Sequence, residues 1–404
     1  MGDPILVRGR LVTPVEEVVD GVVAVEASTI VYVGPTGEWT QRHPEVALPE
    51  PAGTLLPGLV DIHCHGGGGK ALTTTVPGEA RAAAAHHAGN GTTSLVASLV
   101  TAAPDVLLDQ VRALAPLVKA GELAGLHLEG PFLSHARCGA QAPEFLTDPD
   151  LDVIDALLAV ADGTLEVMTL APELPGAAEA ATRLRAGGVS VALGHSDASY
   201  SVFRTALRDL DGAGLVTHLG NAMPPFHHRA VGPVGAALEE SAAGRAAVEL
   251  IGDGVHVEDG FVALVFATAA PESVVLVTDA MAAAGMPDGD YVLGRQEVHV
   301  RAGVARLGSG SAGDAESRSI AGGTSSLVEV VARTVRSAGV PMVDAVRAAS
   351  QTPARILGLA GERGALVAGH TADLLVTDDE LRPVQVMRRG EWLSSPSRQT
   401  RRTT

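Results

Sequence analysis

The chain has 404 residues, of which 46% are hydrophobic and 19% are charged, so an intrinsically disordered protein is excluded. Its 47 Asp and Glu against 29 Lys and Arg give a net charge of −18, which argues against nucleic acid or an anionic membrane as the main partner. Two cysteines cannot form a disulfide framework, and the N-terminus lacks a signal-peptide pattern. We therefore expect a cytoplasmic protein without membrane spans.

Both ends of the chain predict short β-strands. Residues 5–12, 21–25 and 29–33 are β-branched runs bounded by Gly, Pro or Asp. Residues 372–377 and 384–387 have the same character. Two similar ends that flank a different middle predict one small β domain, formed by residues 1–56 together with 366–404.

The middle of the chain, residues 57–365, alternates apolar runs with Ala- and Leu-rich segments of helical length. The predicted strands are residues 59–63, 93–97, 123–129, 165–170, 189–193, 215–218, 247–251 and 274–278. About eight alternations of strand and helix favour a (β/α)8 barrel. A doubly wound open sheet is the alternative, but no Gly-x-Gly-x-x-Gly motif follows the first of these strands.

Side chains that can bind a metal stand where these strands end. They are His63, His65, Glu129, His195, His218, His256 and Asp279. Because the carboxyl ends of barrel strands meet at one mouth, we expect these residues to lie together. His63 and His65 are two apart on an extended segment, so their rings point to the same side. Imidazole and carboxylate groups suit zinc or a similar first-row ion.

Two carboxylates have candidate roles at this mouth. Neither lysine of the chain lies at a strand end, so Glu129 is the best candidate to bridge two metals. Asp279 ends a strongly apolar strand, where an unpaired charge is costly. It either caps the helix that follows or serves as general base and acid beside a metal-bound water. Two further histidines are expected to have no ligand role: His127 lies inside the barrel and His87 at the surface.

Several segments resemble the amidohydrolase superfamily, and more closely the N-acetylglucosamine-6-phosphate deacetylase family. They are residues 57–66, 127–132, 194–198, 217–223, 253–256 and 277–280. The His-Leu-Glu-Gly-Pro-Phe and Asn-Ala-Met segments among them are the most specific, whereas His-x-His and the strand-eight Asp mark only the superfamily. The resemblance implies a barrel beside a small β-sandwich built from both termini.

The resemblance also implies a reaction and its metal ligands. The N-acetyl group of a phosphorylated amino sugar is cleaved to acetate and a free amine. Glu129, His195 and His218 hold the main metal, and His63 and His65 hold a second one. Asp279 is the general base and acid. The expected ion is Zn2+, one or two per subunit, with iron or another first-row ion as the alternative.

Substrate-contacting positions follow from the same resemblance. They are Ala140, Gln141, Asn221, Ala222, Arg229, Asp253, His256, Ile320, Ala321 and Gly322. The arginine that matches Arg229 reaches into the neighbouring subunit's site, so a homodimer is implied. A guanidinium suits this role because it gives bidentate contacts to phosphate. Without the resemblance, the alternative for Arg229 is an ordinary solvated surface arginine.

Three departures from the family pattern leave the substrate open. Gln141 stands where the family has a histidine, Gly220 where it has an aromatic residue, and Ala230-Val231 where it has Glu-Pro. The same chemistry on another amino sugar or on an N-acyl amino acid is therefore an alternative. A catalytically silent barrel is a further alternative, but such relatives typically lose metal ligands and this chain keeps them.

Overall fold

The computed structural model describes residues 4–212, 214–308 and 318–394. The chain begins with β1 (Ile5–Val12), β2 (Glu17–Glu26), β3 (Thr29–Pro35), α1 (Thr36–Arg42) and β4 (Thr54–Pro57). β1 pairs antiparallel with β2 and parallel with β4, and β2 pairs antiparallel with β3. The β-branched runs of the N-terminus thus form one side of a sheet.

The central segment follows. Its elements in chain order are β5 (Leu59–Asp61), β6 (Gly66–Gly67), β7 (Lys70–Ala71), α2 (Pro77–Gly89), β8 (Thr92–Val100), α3 (Pro104–Lys119), β9 (Gly125–Glu129), α4 (Leu151–Ala161), β10 (Leu165–Leu170), α5 (Ala177–Ala186), β11 (Ser190–Leu193), α6 (Tyr200–Asp209), β12 (Gly214–Val216), α7 (Gly232–Ala242), β13 (Ala246–Leu250), α8 (Asp259–Thr268) and β14 (Val274–Leu276). β5 and β8 to β14 are hydrogen-bonded in that order. A parallel bridge between Cys64 and Ala280 joins the segments after the first and last strands, so the barrel is nearly closed. The predicted barrel is confirmed.

The last part of the chain adds a small separate sheet and completes the sheet begun by the N-terminus. It contains a three-stranded antiparallel sheet of β15 (Gly289–Leu293), β16 (Gln296–Arg301) and β17 (Val304–Leu307), then α9 (Leu327–Arg336), α10 (Met342–Ala348), α11 (Gln351–Ile356), β18 (Leu374–Thr377), β19 (Pro383–Arg388) and β20 (Glu391–Trp392). β18 pairs antiparallel with β4, which gives a seven-stranded sheet in the order β20-β19-β18-β4-β1-β2-β3. The β domain predicted from both termini is confirmed, while its predicted boundaries stay a prediction.

Alternation along each barrel strand separates two hydrophobic cores. All nine residues of β8 are buried. Leu95, Ala97 and Leu99 belong to the core between strands and helices, whereas Val96 belongs to the core inside the barrel. Successive side chains on a strand point to opposite faces, and both faces of a parallel sheet are covered. Among the described residues, no helix is long and apolar enough to cross a membrane.

Candidate metal centre and substrate cavity

The ends of five barrel strands carry the predicted metal-binding side chains to one mouth. His63 follows β5, Glu129 ends β9, His195 follows β11, His218 follows β12 and Asp279 follows β14. Three of these residues have left-handed backbone, with φ of 46° at His195, 27° at His218 and 46° at Asp279. Such conformations cost about 1–3 kcal/mol each and persist where the surrounding structure enforces them. Three of the five strand ends that carry candidate ligands therefore have strained backbone.

Glu129, His195 and His218 form the first ligand group. The Nε2 atoms of His195 and His218 each lie 2.9 Å from Glu129 Oε1. All three residues are buried. Their donor atoms lie within 4.8 Å of one another.

His63, His65 and Asp279 form the second ligand group. The Nε2 atoms of the two histidines face each other at 3.2 Å. Asp279 Oδ1 lies 3.1 Å from His65 Nε2 and 3.5 Å from His63 Nε2. Two ring nitrogens this close, with a carboxylate beside them, are satisfied when they share a cation.

Glu129 stands between the two groups. Its Oε2 lies 3.2 Å from His65 Nε2, and its Oε1 lies 3.6 Å from His63 Nε2. One carboxylate therefore reaches histidines of both groups, as a bridging ligand must. Four imidazole nitrogens and two carboxylates within one buried cluster fit one or two divalent metal ions.

Oxygen acceptors fix the ring orientation of three of these histidines. The Nδ1–H of His63 donates to Glu249 Oε2 at 2.9 Å. The Nδ1–H of His65 donates to the backbone oxygen of Ser98 at 3.0 Å, and that of His195 donates to the backbone oxygen of Arg137 at 2.8 Å. A proton held on Nδ1 leaves the Nε2 lone pair free for a metal.

Neighbouring charges shift the pKa values of the second group in the metal-free protein. Burial lowers the pKa of His65, but hydrogen bonds with Asp279 and Glu129 outweigh burial and raise that pKa to about 9. Burial raises the pKa of Asp279, whereas the hydrogen bond with His65 and the charge of His63 lower it to about 2. A cation at this position therefore replaces protons that the histidines otherwise retain.

A layer of buried polar residues lies directly beneath the ligands. The His127 ring bonds Ser98 Oγ at 2.9 Å and Thr169 Oγ1 at 2.8 Å, so both of its nitrogens are used by neighbours. Burial and the nearby charge of His63 hold the pKa of His127 well below its usual range. As predicted, His127 lies inside the barrel and belongs to neither ligand group.

The surface position predicted for His87 is wrong. Its ring is fully buried and donates from Nε2 to the Gly66 oxygen at 2.9 Å.

A cavity of about 300 Å³ opens above the ligands. Of the predicted substrate positions, Ala140, Gln141, Asn221, Ala222, His256, Ile320 and Gly322 line it. Asp253 lies behind His256 and accepts from its Nδ1 at 2.8 Å. Ala321 is buried in the small core under the three-stranded sheet. Arg229 is exposed and is absent from the described lining residues.

Comparison with known proteins identifies the family. The sequence matches the model of the amidohydrolase family over residues 54–393. The chain belongs to the amidohydrolase family. The N-acetylgalactosamine-6-phosphate deacetylase of Escherichia coli O157:H7 is 37% identical over 84% of this chain and 88% of its own length. The human N-acetylglucosamine-6-phosphate deacetylase is 34% identical over 85% of both chains.

Solved structures agree with this amidohydrolase assignment. The N-acetyl-D-glucosamine-6-phosphate deacetylase D267A mutant of Mycobacterium smegmatis, in complex with N-acetyl-D-glucosamine-6-phosphate, superposes with a TM-score of 0.89. It is 40% identical and covers 97% of this chain and 99% of its own. The Thermotoga maritima deacetylase gives a TM-score of 0.82 at 28% identity, over 96% and 99% of the two chains. The subfamily predicted from the motifs is confirmed.

Within this amidohydrolase site, Gln141 is held by the protein at both ends. Its Nε2 donates to Glu129 Oε2 at 2.5 Å, and its Oε1 accepts from the Thr101 backbone N–H at 2.8 Å. Gln141, which stands where the family has a histidine, therefore holds in place the Glu129 carboxylate that lies between the two groups. This contact follows from the fold and could not be derived from the sequence.

His256 is a further polar residue that lines the cavity. Burial lowers its pKa, but the hydrogen bond and charge of Asp253 outweigh burial and raise it. Asp253 is itself fixed by the backbone N–H groups of Val255 at 2.8 Å and His256 at 2.9 Å. The pair can present a cationic N–H to an anionic substrate group.

Sequence reasoning missed several residues that line the cavity. Arg137 follows the Glu129 motif in a loop, and its side chain pairs with Asp197 at 2.7 Å. Leu293 comes from the β15–β16 hairpin, which no sequence pattern had predicted. A lone cation close to a ligand motif was an available signal for Arg137, whereas Leu293 could be placed only by the fold.

Proposed function

We propose that this protein is a metal-dependent N-acetylglucosamine-6-phosphate deacetylase that releases acetate and glucosamine-6-phosphate. The main support is the position of Glu129, which contacts histidines of both ligand groups at the bottom of the cavity. Asp279 stands beside the same histidines and lines the cavity. An amide carbon placed above these groups would meet an acceptor for protons and two positions for a cation.

Zinc is the proposed ion. Glu129, His195 and His218 would hold one ion, and His63 with His65 would hold a second. A bound divalent ion supplies Lewis-acid polarisation and lowers the pKa of water. The nitrogen-rich ligand set favours zinc over Mg2+ or Ca2+, which prefer oxygen ligands.

Asp279 performs the proton transfers in this proposal. Its carboxylate lines the cavity beside the ligand histidines, so it can accept a proton from the attacking water. It then delivers that proton to the departing amine nitrogen. Its Oδ1 lies 3.1 Å from His65 Nε2, so the carboxylate stands directly beside the position proposed for the second ion.

Recognition of the sugar phosphate is divided among the cavity wall and a second subunit. Asn221, Ala222 and His256 line the cavity and would contact the sugar and its phosphate. Arg229 is exposed on the loop before α7, which suits a residue that reaches into a partner's cavity. We therefore propose a homodimer in which Arg229 binds the phosphate of the neighbouring site. The cytoplasmic location stays a prediction.

A second candidate substrate is N-acetylgalactosamine-6-phosphate. The E. coli relative, 37% identical to this chain, acts on that epimer by its name. Gly220 also differs from the aromatic residue of the family, and a Cβ there would lie 3.4 Å from the Phe261 ring. The reaction and the metal ligands are the same for both epimers.

Acetate release by the zinc-loaded protein tests the proposal. N-acetylglucosamine-6-phosphate, N-acetylgalactosamine-6-phosphate and unphosphorylated N-acetylglucosamine are compared side by side. The proposal expects a kcat/KM for the glucosamine phosphate that exceeds both others. Faster turnover of the galactosamine phosphate selects the second candidate, and no turnover of any of them by a protein with zinc bound contradicts the proposal.

A further inference from the structure

Glu249 is a fully buried carboxylate on β13 that the reaction above does not use. Its Oε2 accepts the Nδ1–H of His63 at 2.9 Å and the backbone N–H of His218 at 3.1 Å. Its Oε1 has no hydrogen-bond partner among the described residues. One carboxylate thus contacts the second ligand group through a side chain and the first through the backbone.

The negative charge of Glu249 requires compensation. Burying a carboxylate is costly unless an opposite charge compensates it. Within the described part of the chain, its one ion-pair partner is His63. The compensating charge for Glu249 therefore lies on the side of His63, where the second ion would bind.

Comparison with the other histidines shows what the carboxylate adds. His65 and His195 direct Nδ1 to neutral backbone oxygens, those of Ser98 and Arg137. A neutral acceptor is therefore enough to fix a ring. A carboxylate in that position also makes the ring a stronger ligand, because its charge increases the basicity of the imidazole.

We propose that Glu249 is a positioning residue that holds His63 for the second metal ion and ties that ion's site to the strand end carrying His218. This inference rests on the proposed metal-dependent function. It predicts that Glu249 controls occupancy of the His63–His65 position more than that of the position formed by Glu129, His195 and His218.

Two variants separate the charge of Glu249 from its hydrogen bonds. Glu249→Leu removes both at similar volume, whereas Glu249→Gln keeps an acceptor oxygen and removes the charge. Glu166→Gln is the matched control, because Glu166 is a half-buried carboxylate at the start of another barrel strand, β10. Zinc binding per subunit is measured by equilibrium dialysis at one pH, and thermal unfolding of each metal-free protein is recorded in parallel.

The wild type and the control are expected to bind two zinc ions. In Glu249→Leu the affinity for the second ion is expected to fall about 10- to 100-fold, the usual effect of losing an outer partner of a ligand. In Glu249→Gln the loss should be smaller. The affinity for the first ion should change little in both variants. If Glu249→Leu does not fold, the affinity of Glu249→Gln for the second ion is the deciding measurement.

Unchanged affinity for both ions in the two variants would overturn the inference, even with a lowered unfolding temperature, because Glu249 would then be purely structural. In that case an active wild type leaves the proposed function intact. A wild type that binds no zinc would instead overturn the proposed function and this inference together.

Discussion

The substrate-binding region has two ends, the metal centre and the groups proposed to bind the phosphate, and they are built in different ways. At the metal end, His63, Glu129 and His218 are almost fully buried, and hydrogen bonds from neighbouring strands hold them in place. At the other end, Asn221 is only half-buried, and Arg229 is exposed and lies outside the described lining of the cavity. The chain therefore completes the hydrolytic centre by itself but leaves the binding of an anionic group less complete.

The difference in burial matches a difference between two tasks, proton transfer and phosphate recognition. Proton transfer needs groups held within a fraction of an ångström, which a barrel interior provides. Recognition of a phosphate needs cations, and an exposed loop can supply one to a second subunit. Changes at the metal end should therefore reduce kcat, and changes at the other end should raise KM.

The largest expected effect is that of Asp279→Asn. The variant loses the group that accepts and returns the proton, so kcat should fall about 10³- to 10⁴-fold, near the upper limit for general acid–base catalysis. Zinc bound by Glu129, His195 and His218 should be retained. Steady-state kinetics and metal analysis check both points. Substantial turnover by a zinc-loaded Asp279→Asn would contradict the role given to this residue.

Arg229→Ala tests the opposite end. Loss of a charge-assisted contact, worth about 1.5–3 kcal/mol, should raise KM for the phosphorylated sugar about 10- to 100-fold with little change in kcat. KM for the unphosphorylated sugar should stay the same. Arg112→Ala is the control, since Arg112 is exposed and pairs with Asp109 of its own helix. Equal effects on both sugars would refute phosphate binding by Arg229.

Metal affinity should depend on pH because protons compete for the same histidines. The pKa of His65 is raised to about 9 in the metal-free protein, so its ring is protonated below that pH and must lose a proton to bind zinc. The pKa of His63 is raised as well, so the apparent zinc affinity of this ligand group should rise at least about tenfold per pH unit from pH 6.5 towards 9 and then level off. Titration with a competing chelator measures this, and a flat profile over that range would contradict the raised pKa.

Gln141→Leu should have the smallest effect. The variant removes the hydrogen bond to Glu129 and leaves the Thr101 N–H unpaired. The free energy of unfolding should therefore fall by about 1–3 kcal/mol, and kcat should fall about tenfold. Denaturant unfolding and steady-state kinetics are the measurements. Gln110→Leu, a buried amide on α3, should leave kcat unchanged. An unaltered kcat in Gln141→Leu would mean that Glu129 needs no brace.

Much of this architecture was predictable because the barrel repeats one simple pattern. The strand Leu165–Leu170 has the bounds predicted from the sequence. His63 and His65 could be assigned to one face because strand side chains alternate. The fold places these residues beside Asp279, as expected from the meeting of strand ends.

The rest could not be predicted for identifiable reasons. Glu249 lies within an apolar run, and only the closed barrel shows that it faces His63. His87 sits on an Ala-rich helix whose buried positions Ala80 and Ala83 share its spacing, a periodicity that sequence reasoning overlooked. The β15–β17 sheet follows the last barrel strand and has no counterpart in the barrel repeat.

The most direct test of the division between the two ends is complementation between variants. Asp279→Asn and Arg229→Ala are each assayed alone and after subunit exchange, at a substrate concentration well below KM. In a mixed dimer, one site has both Asp279 and the partner's Arg229, so about a quarter of wild-type activity should return in a symmetric homodimer. No recovery, with mixed dimers demonstrated, would mean that each chain binds and hydrolyses its substrate alone.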